Sequence, residues 1–508
     1  MSASSKIKSI SELSDVLDSE QKNGKQVVLC HGVFDLVHPG HVLHFKAARN
    51  FGDFLIVTVT PDRYVHKGPG RPAFNERLRM EAIAALECVD YVALNEWPTA
   101  VETIHRLRPQ VYVKGSDYAD PASDLTGKIV DEENAIRAVG GEIRFTAEEV
   151  FSSSALINRF FHSYPPETHN YLAKFRETHS ADQVIGRLKE LADVRVLVVG
   201  EAILDQYCYC IPLAKSPKEF IIATKFSSEE NFAGGSVAVA NHVAGYCDQV
   251  TLVTCLGPDD RHFDFFRSIL RPNIQLRAVR TNERPTIIKR RFVEPTFLTK
   301  MFEIQYLDDT PLSGRPENEL VSVLERQLLE HDLVIVADFG HGQLTDRLRG
   351  MLGSSGKFLA VNTQTNSANL GFNPITKYER AGYVCIHEGE LRLALHTQFG
   401  DLYDIAARLR QKLSARGFMV TRGPHGSVLF SDNGEVHEAP ALSVKVIDRV
   451  GAGDAFFAVT SPCVYKGYDA DLVGLVGNCV GALAVETVCN RAPVDSTMLY
   501  KFISHLLR

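Results

Sequence analysis

The stretch HGVFDLVHPGHVLHFKAARNFGD, residues 31–53, places two histidines, His38 and His41, around a Pro-Gly pair. A strand-like apolar run at 26–30 precedes it, and a helical pattern follows it. Further strand-like runs alternate with amphipathic stretches, at residues 54–59, 89–94 and 111–114. This alternation predicts parallel strands joined by crossover helices. We therefore expect an α/β domain of the Rossmann-like kind over residues 1–163.

Length and composition limit the classes of protein to consider. The chain has 508 residues, which is too long for one core and favours two or three domains. Its net charge of −7 argues against nucleic acid as a partner. The N-terminus lacks the apolar core of a signal peptide, and the apolar stretch 472–488 is interrupted by Asn478 and Glu486. The ten scattered cysteines indicate reduced thiols. We expect a cytoplasmic protein without membrane insertion, with a buried helix at 472–488.

A second α/β pattern follows a joint in the chain. Pro165 and Pro166 interrupt the first pattern, and we place a linker at residues 164–192. Strand-like runs then recur at 194–200, 250–256, 333–338, 358–362 and 417–421. The stretch 427–439 predicts a hairpin around Asn433-Gly434, and 218–232 predicts a small β lid. We expect a second α/β domain over residues 193–508.

Four interpretations of His38 and His41 compete. A zinc site needs two more ligands, and no neighbouring residue has suitable spacing. A histidine nucleophile does not need a second imidazole, while two core histidines at one glycine-containing turn are a minority possibility. A phosphate site fits best. Gly40 lets the backbone approach a ligand, a helix N-terminus attracts negative charge, and imidazoles can donate to phosphoryl oxygens.

The stretch HGVFDLVHPGH resembles the HxGH signature of the cytidylyltransferase-like nucleotidyltransferases, and the resemblance extends over most of residues 5–161. It implies that His38 and His41 stabilise charge on the transferring phosphate, and that Gly32, Phe34 and Asp35 line the triphosphate and substrate pocket. The resemblance implies further nucleotide or phosphate contacts for a larger set of residues: Lys67, Arg71, Arg79, Lys114, Gly115, Asp117, Ser153 and Ser154. In that family a substrate phosphate attacks the α-phosphorus of a nucleoside triphosphate, pyrophosphate leaves, and Mg²⁺ shares the charge.

The choice of nucleotide depends on the lead-in to the Ser153-Ser154 pair. Many cytidylyl-transferring members have Arg-Thr-x-Gly there, whereas this chain has Ala147-Glu-Glu-Val-Phe151. That lead-in, with VKGSDY at 113–118, looks more like the adenylyl-transferring branch that activates heptose 1-phosphate. We therefore expect ATP as the nucleotide, with CTP as the alternative.

The stretch DRVGAGDAFFA, residues 448–458, is the most informative part of the second half. Gly451 and Gly453 free backbone N–H groups to form an anion-binding nest, and Asp454 follows at the expected helix start. A plain turn with a capping aspartate is the alternative. With FAGGSVAVANHVA (232–244) and VTRGPHGSVLF (420–430) in the expected order, the second half resembles the ribokinase-like (PfkB-type) carbohydrate kinases.

That resemblance implies a role for each matching residue. Asp454 would be the general base for the attacking sugar hydroxyl, and Glu390 would be linked indirectly to Mg²⁺. The anion hole and ATP side would comprise Gly451, Ala452, Gly453, Thr421, Gly423 and Gly426, and the sugar side Asp205, Gly234, Gly235 and Lys289. Asp338 matches a further pocket position. The chain departs from the family pattern at Arg449, Ala238, His387 and Asn362.

A nucleotidyltransferase joined to such a kinase is similar to the bifunctional enzymes of ADP-heptose synthesis, with the domain order swapped. The similarity implies phosphorylation of heptose 7-phosphate at C1 and adenylylation of heptose 1-phosphate, with ATP, Mg²⁺ and sugar phosphates as ligands. It also leads us to expect a homodimer. Two alternatives stay open: a CTP-dependent cytidylyltransferase for a surface-polymer precursor, and a second half that has lost kinase activity and only binds a sugar phosphate.

Overall fold

The computed structural model describes residues 3–65, 71–116, 128–146, 164–215, 222–431 and 433–507. It divides into two compact units. The first comprises residues 1–165 and 500–508, and the second comprises residues 166–499. The range that we predicted as a linker holds two helices, α7 (Pro166–Thr178) and α8 (Ala181–Lys189).

The first unit is a parallel sheet flanked by helices. Its strands are β1 (Val27–Gly32), β2 (Phe54–Val59), β3 (Tyr91–Leu94), β4 (Val111–Gly115) and β5 (Glu142–Thr146). Its helices in the described residues are α1 (Ala3–Lys6), α2 (Ile10–Lys22), α3 (Pro39–Arg49), α4 (Glu76–Ala84), α5 (Val101–Leu107) and α6 (Lys128–Ala138). The strand order is β3-β2-β1-β4-β5, with all described pairs parallel. The predicted α/β sheet is confirmed.

The apolar runs that predicted strands form the core of this sheet. Val28, Leu29 and Cys30 of β1 have no exposed surface, because β1 is covered on both faces. Continuous apolar runs are typical of strands in such central positions. The helix α3 begins after His38, which is its N-cap, with Pro39 in the first turn.

The second unit contains a large sheet and a smaller one. The large sheet comprises β6 (Arg195–Gly200), β9 (Gln249–Leu256), β10 (Ile274–Arg280), β13 (Leu333–Asp338), β14 (Phe358–Thr363), β15 (Tyr383–His387), β16 (Gly417–Thr421), β17 (Ser427–Phe430) and β18 (Val436–Ala439). Its order is β10-β9-β6-β13-β14-β15-β16-β17-β18, parallel up to β16 and antiparallel beyond. The predicted hairpin is β17–β18, where Gly434 has a φ of 88°.

The smaller sheet is the lid, which we define as β7 (Ala202–Lys215), β8 (Ile222–Gly235), β11 (Ile287–Glu294) and β12 (Thr299–Tyr306). Its order is β12-β11-β7-β8. The lid is larger than the insert predicted at 218–232, because β7 and β8 are long paired strands and β11–β12 join them.

Helices cover the large sheet. They are α9 (Ser236–Val243), α10 (Asp260–Ile269), α11 (Gly314–Glu330), α12 (Asp346–Ser354), α13 (Glu388–Ala394), α14 (Leu402–Lys412), α15 (Ala452–Tyr465) and α16 (Ala470–Ala484). A last helix, α17 (Ser496–Leu506), begins in this unit, and its residues from Tyr500 onward belong to the first unit. The apolar stretch at 472–488 contains most of α16, which is buried as predicted. The helices in the described part of the chain all fall short of the length and apolarity that a bilayer crossing needs. All ten cysteines are free thiols, and only Cys88 and Cys255 are more than marginally exposed.

Candidate active sites

The first candidate site lies at the carboxyl ends of β1 and β4. In the order β3-β2-β1-β4-β5, the chain leaves β1 for β2 on one side and reaches β4 on the other. Ligands of open α/β sheets bind in the crevice at such a switch point. The turn carrying His38 and His41 follows β1, and Lys114 and Gly115 end β4.

The two histidines lie against each other at the start of α3. Their ring centroids are 4.0 Å apart with the planes inclined by 26°. The backbone N–H of Gly40 donates to Nδ1 of His38 at 3.1 Å, so the proton of the neutral ring is on Nε2. Burial lowers the pKa of His38, which keeps the ring neutral near pH 7. His38 can therefore donate one hydrogen bond from Nε2 without a charge of its own.

Phe34 supports the histidine pair from the side. Its ring meets His41 edge-on at a centroid distance of 5.2 Å and is itself buried. A Cβ at position 32 would lie 2.9 Å from the Phe34 ring, so Gly32 allows the ring to pack there. Both residues thus shape the turn that we predicted as a pocket.

Asp35 and Arg79 make several hydrogen bonds within the protein. Oδ1 of Asp35 accepts from the N–H groups of Ala73 and Phe74 at 2.6 and 3.2 Å, and Oδ2 accepts from Arg71 at 3.2 Å. Arg79 is 1% exposed, and its guanidinium donates to carbonyl oxygens of three loop residues, Val33, Thr60 and Phe74, and to Asp62. These hydrogen bonds show that the two residues hold the loops beside the site, and the ligand contacts that we predicted for them stay predictions.

Arg71 also has protein partners. Besides Asp35, its guanidinium binds Nε2 of His505 at 2.7 Å, a residue that belongs to the same unit. The Lys114 ammonium pairs with Glu132 at 2.9 Å, and the Tyr112 hydroxyl donates to the same carboxylate. Lys114 lies at the predicted strand end, and its nucleotide contact stays a prediction. Four predicted contacts, Lys67, Asp117, Ser153 and Ser154, lie outside the described residues.

The second candidate site is a cavity of about 590 Å³ in the second unit. Nearly all of the predicted kinase residues line it: Asp205, Gly235, Lys289, Glu390, Thr421, Gly423, Gly426, Gly451, Ala452, Gly453 and Asp454. Gly234 does not line it, but packs directly against Asp205. The structure thus brings together residues from six separated parts of the sequence. Their individual roles stay predictions.

The N-terminus of α15 lies at this cavity, where we predicted an anion hole. The first N–H groups of a helix have no partner within the helix and attract negative charge. Gly451, the N-cap, has a φ of 85°, and a Cβ there would lie 2.0 Å from Oδ1 of Asn490. Glycine is therefore required at this turn on two grounds, conformation and space.

Asp454 lies in the first turn of α15 and is 8% exposed. The pKa of its carboxyl group is raised to about 7, and burial is the largest cause. A hydrogen bond from Gln364 lowers the pKa, and the nearby Asp205 carboxylate raises it. No side chain caps α15 at Gly451. Asp454 therefore lines the cavity as a buried carboxyl group with a raised pKa, and its role as a base stays a prediction.

The lid supplies the opposite wall of the cavity. Arg291 binds Asp205 and also Glu303, the latter at 2.7 Å. Lys289 lies two positions before Arg291 on β11 and is 7% exposed, and burial lowers the pKa of its ammonium group. A Cβ on Gly234 would lie 2.1 Å from the Asp205 carboxylate, so glycine is needed there. Positive and negative side chains alternate at this end of the cavity. Such an arrangement can bind a ligand that carries both hydroxyl groups and a negative charge.

Glu390 lies on the far side of the cavity from the lid. Its two oxygens accept from the N–H groups of Thr365 and His387 at 2.9 and 2.8 Å. Burial raises the pKa of Glu390 to about 7. His387, which departs from the family pattern, caps α13 through its ring Nδ1 at 3.1 Å from the Gly389 nitrogen. The substitution thus preserves the turn that presents Glu390.

Asp448 connects the lid with the turn before α15. Its carboxylate accepts from the Tyr207 hydroxyl at 2.7 Å and the Lys300 ammonium at 2.6 Å, both in the lid. It also accepts from the N–H groups of Val450 and Cys489, each at 3.1 Å. Burial favours a higher pKa for Asp448, but these hydrogen bonds outweigh it and lower the pKa. Asp448 is therefore a buried, ionised carboxylate that connects the lid with the turn before α15.

Comparison with known proteins identifies both units. The family model described as "Cytidylyltransferase-like" matches residues 29–160. The model described as "pfkB family carbohydrate kinase" matches residues 194–496, more than half of the chain. The chain belongs to the pfkB family of carbohydrate kinases. The predicted order of a cytidylyltransferase-like domain followed by a pfkB-family domain is confirmed.

Curated relatives align with parts of this pfkB-family chain. "Bifunctional protein HldE" of Trichlorobacter lovleyi is 47% identical over 116 residues, covering 22% of this chain and 24% of that protein. "D-beta-D-heptose 7-phosphate kinase" of Bordetella bronchiseptica is 30% identical over 276 residues, covering 53% of this chain and 84% of that protein. The chain thus matches about a quarter of the length of this bifunctional relative.

A solved structure shares the fold of the pfkB-family unit. It is phosphofructokinase-2 from Escherichia coli in complex with potassium, with a TM-score of 0.50 and 16% identity. The alignment covers 62% of this chain and all of that chain. This likeness concerns the fold alone.

Three residues of the pfkB-family cavity were missed by sequence reasoning: Arg291, Gln364 and Asn490. Arg291 could have been found, because alternate residues of a strand share a face and Lys289 was already predicted. Gln364 directly follows β14, where ligand contacts of parallel sheets concentrate. Asp338, in contrast, was predicted at the pocket but is fully buried against Tyr378 and Lys377, so that prediction was wrong.

Proposed function

We propose that the chain is a bifunctional enzyme that makes a nucleotide-activated sugar, ADP-heptose or a related heptose. The second unit phosphorylates heptose 7-phosphate at C1 with ATP. The first unit transfers an adenylyl group from ATP to heptose 1-phosphate. The observation that carries the proposal is the cavity in which Asp454 faces Asp205 and Lys289 beside the start of α15. The name of the curated relative "D-beta-D-heptose 7-phosphate kinase" supports the choice of sugar.

In the kinase reaction, Asp454 takes the proton of the sugar hydroxyl as its oxygen attacks the γ-phosphorus of ATP. The bond between the γ-phosphorus and the bridging oxygen breaks, and ADP leaves. The N–H groups of residues 451–454 stabilise the negative charge on the transferred group. The raised pKa of Asp454 suits this task, because a general base works best when its pKa lies near the operating pH.

At the sugar end, Asp205 accepts hydrogen bonds from hydroxyl groups, and Lys289 attracts the phosphate of the substrate. Gly234 and Gly235 let the sugar and the Asp205 carboxylate approach the backbone. Thr421, Gly423 and Gly426 contact ATP. Positioning of the two substrates, rather than a covalent intermediate, supplies most of the rate.

Mg²⁺ fits the kinase cavity through Glu390. Magnesium is held mostly by substrate phosphates and water, with one or two carboxylates. Each Glu390 oxygen accepts one backbone hydrogen bond and keeps a lone pair that can accept from a metal-bound water. Bound there, Mg²⁺ would neutralise charge on the ATP phosphates.

In the transferase reaction, His38 and His41 donate hydrogen bonds to the α-phosphate of ATP as the phosphate of heptose 1-phosphate attacks. Pyrophosphate leaves along the N-terminus of α3. The stacked imidazoles fit this role because they lie together at the start of α3, where Nδ1 of His38 accepts from the Gly40 N–H and the neutral ring carries its proton on Nε2. Lys114, Gly115, Lys67, Asp117, Ser153 and Ser154 are the proposed nucleotide contacts.

A direct assay tests both activities on the full chain. Purified protein is incubated with ATP and heptose 7-phosphate, and sugar phosphorylation is measured. Separately, each nucleoside triphosphate is paired with heptose, hexose and alditol phosphates, and pyrophosphate release is measured. We expect ATP with the heptose compounds to give the highest rates. A clear preference for CTP would contradict the adenylyl assignment, and no phosphorylation of any sugar phosphate would contradict the kinase assignment.

The enzyme is further proposed to be a homodimer that acts in the cytoplasm. The ten free cysteines fit a reducing compartment. The outer face of the lid carries three exposed apolar residues at alternate positions of β12, Phe302, Ile304 and Tyr306. Phe302 stacks on Phe292 of β11 at a centroid distance of 4.4 Å, so the apolar face is continuous across two strands. Such a face favours contact with a second copy.

Replacement of Ile304 by aspartate tests the dimer. A carboxylate at this position, opposite Arg290 on β11, should abolish association, because burying it at an interface would remove its hydration. Sedimentation velocity should show a dimer for the wild type and a monomer for Ile304→Asp. Glu325→Lys, an exposed change on α11, serves as the control. A monomeric wild type, or a dimeric Ile304→Asp variant, would contradict the proposal.

A further inference from the structure

Gln364 extends from the end of β14 into the kinase cavity. Its backbone is fixed on both sides, because its N–H donates to the Asp338 carbonyl at 2.9 Å and its carbonyl accepts from Asn373 at 3.1 Å. Its side-chain amide donates to Oδ1 of Asp454. The amide therefore reaches the candidate base from a rigid attachment point.

The surroundings of Asp454 are otherwise adverse to an ionised carboxylate. The group is buried at the start of α15, and two further carboxylates, Asp205 and Glu390, act on it. The Lys289 ammonium acts in the opposite sense from β11. Among the described residues, Gln364 is the side chain that hydrogen-bonds the Asp454 carboxylate.

We propose that Gln364 is a positioning residue for phosphoryl transfer, whose amide N–H holds Oδ1 of Asp454 and directs Oδ2 at the sugar hydroxyl. The inference rests on the proposed kinase activity. In the step, the O–H bond of the hydroxyl breaks and its proton goes to Oδ2. The hydroxyl oxygen forms a bond to the γ-phosphorus, and ADP departs with the electrons of the broken P–O bond. The N–H of Gln364 also stabilises the ionised form that accepts the proton.

A series of substitutions tests this role through the pH dependence of kcat. Gln364→Leu removes the donor, Gln364→Glu replaces it by a like charge of the same shape, and Gln364→Lys restores a donor with positive charge. If the amide stabilises the ionised base, the acidic limb of the profile moves up in pH for Leu, further up for Glu, and back down for Lys. We expect a shift of about one pH unit for Leu, and thus about a tenfold loss of kcat well below the limb.

Controls separate this role from a general loss of structure. Gln411→Leu, an exposed change on α14, should leave the profile unchanged. A merely structural role for Gln364 would lower kcat at every pH without moving the limb, and that outcome would overturn the inference. If the wild type phosphorylates no sugar phosphate, the proposed function fails. The pKa of Asp454 measured by carbon-13 NMR then decides the inference by itself, because equal values in wild type and Gln364→Leu would overturn it.

Discussion

Asp454 is deeply buried, and burial raises the pKa of its carboxyl group. Ionisation of this group therefore favours activity but lowers stability. The folded-state pKa of about 7 lies above the ordinary aspartate pKa of 3.8. The unfolded chain therefore loses the proton at lower pH than the folded chain does. The stabilisation linked to this proton is complete below about pH 4 and is lost as pH rises through 7. Ionising the base at working pH thus destabilises the second unit.

Asp454→Asn should abolish sugar phosphorylation while raising the melting temperature at pH 8. The amide keeps the shape of the carboxylate but cannot take the hydroxyl proton, and loss of a general base commonly costs about a hundred- to ten-thousandfold. Since the amide carries no charge to bury, the gain in melting temperature should shrink as the pH falls towards 5. Calorimetry at several pH values and an ATP-dependent phosphorylation assay measure the two effects. A melting temperature that falls at all pH values would instead indicate a structural cap.

His41→Ala should abolish nucleotidyl transfer and leave sugar phosphorylation unchanged. His41 stacks on His38 at the start of α3, so its loss removes a donor to the transferring phosphate. The loss of one such donor costs about a hundredfold or more in rate. Pyrophosphate release measures the effect, with the exposed His105→Ala on α5 as the control. Release at the wild-type rate by His41→Ala would contradict the assignment.

At the scale of elements, the lid and the turn before α15 are connected through Asp448. Lys300→Met on β12 removes one of the two lid partners of this buried carboxylate. Charged hydrogen bonds contribute about 1.5–3 kcal/mol, so we expect a kcat for phosphorylation that is lower by roughly ten- to a hundredfold. Lys225→Met, an exposed change on β8, is the matched control. Equal kinase rates for Lys300→Met and wild type would show that the ion pair does not position the turn.

The strands of the two large sheets could be predicted from the sequence, whereas the lid could be predicted only in part. β2, β13 and β16 begin and end at the predicted residues, because central parallel strands are buried on both faces and read as continuous apolar runs. The lid strands β11 (IIKRRFVE) and β12 (TKMFEIQY) mix polar and apolar residues, and on β12 Phe302, Ile304 and Tyr306 are exposed. Such a pattern is hard to separate from a loop before pairing partners are known.

Site residues also divide into those that a local sequence pattern predicts and those that depend on distant partners. Residues such as His38 and Asp454 could be predicted, because glycine-rich turns at helix starts mark them locally. The tasks of Asp35 and Arg79 could not, because both depend on which backbone groups a distant loop presents. Gln364 was missed for a related reason, since its partner Asp454 is 90 positions away in the sequence.

For the whole molecule, each unit has its own core and its own candidate site. The core of the first unit is built around β1 and that of the second around β6 and β13. Because no site residue proposed for one reaction belongs to the other unit, a fault in one active site should not disable the other. The swapped order of the two domains is compatible with both activities for the same reason.

The buried thiols can be used to follow unfolding of the chain, because they react with reagents only when they become exposed. Cys30 and Cys88 belong to the first unit and the other eight to the second. Burial raises the pKa of the thiol at Cys255 to about 11, and thiols without thiolate character react slowly. We expect a thiol reagent to modify at most Cys88 and Cys255 in the native protein and all ten cysteines in denaturant. Mass spectrometry of the labelled peptides along a denaturant series would then show which unit unfolds first, without any engineered probe. Rapid labelling of Cys30 or Cys479 in buffer would contradict this expectation.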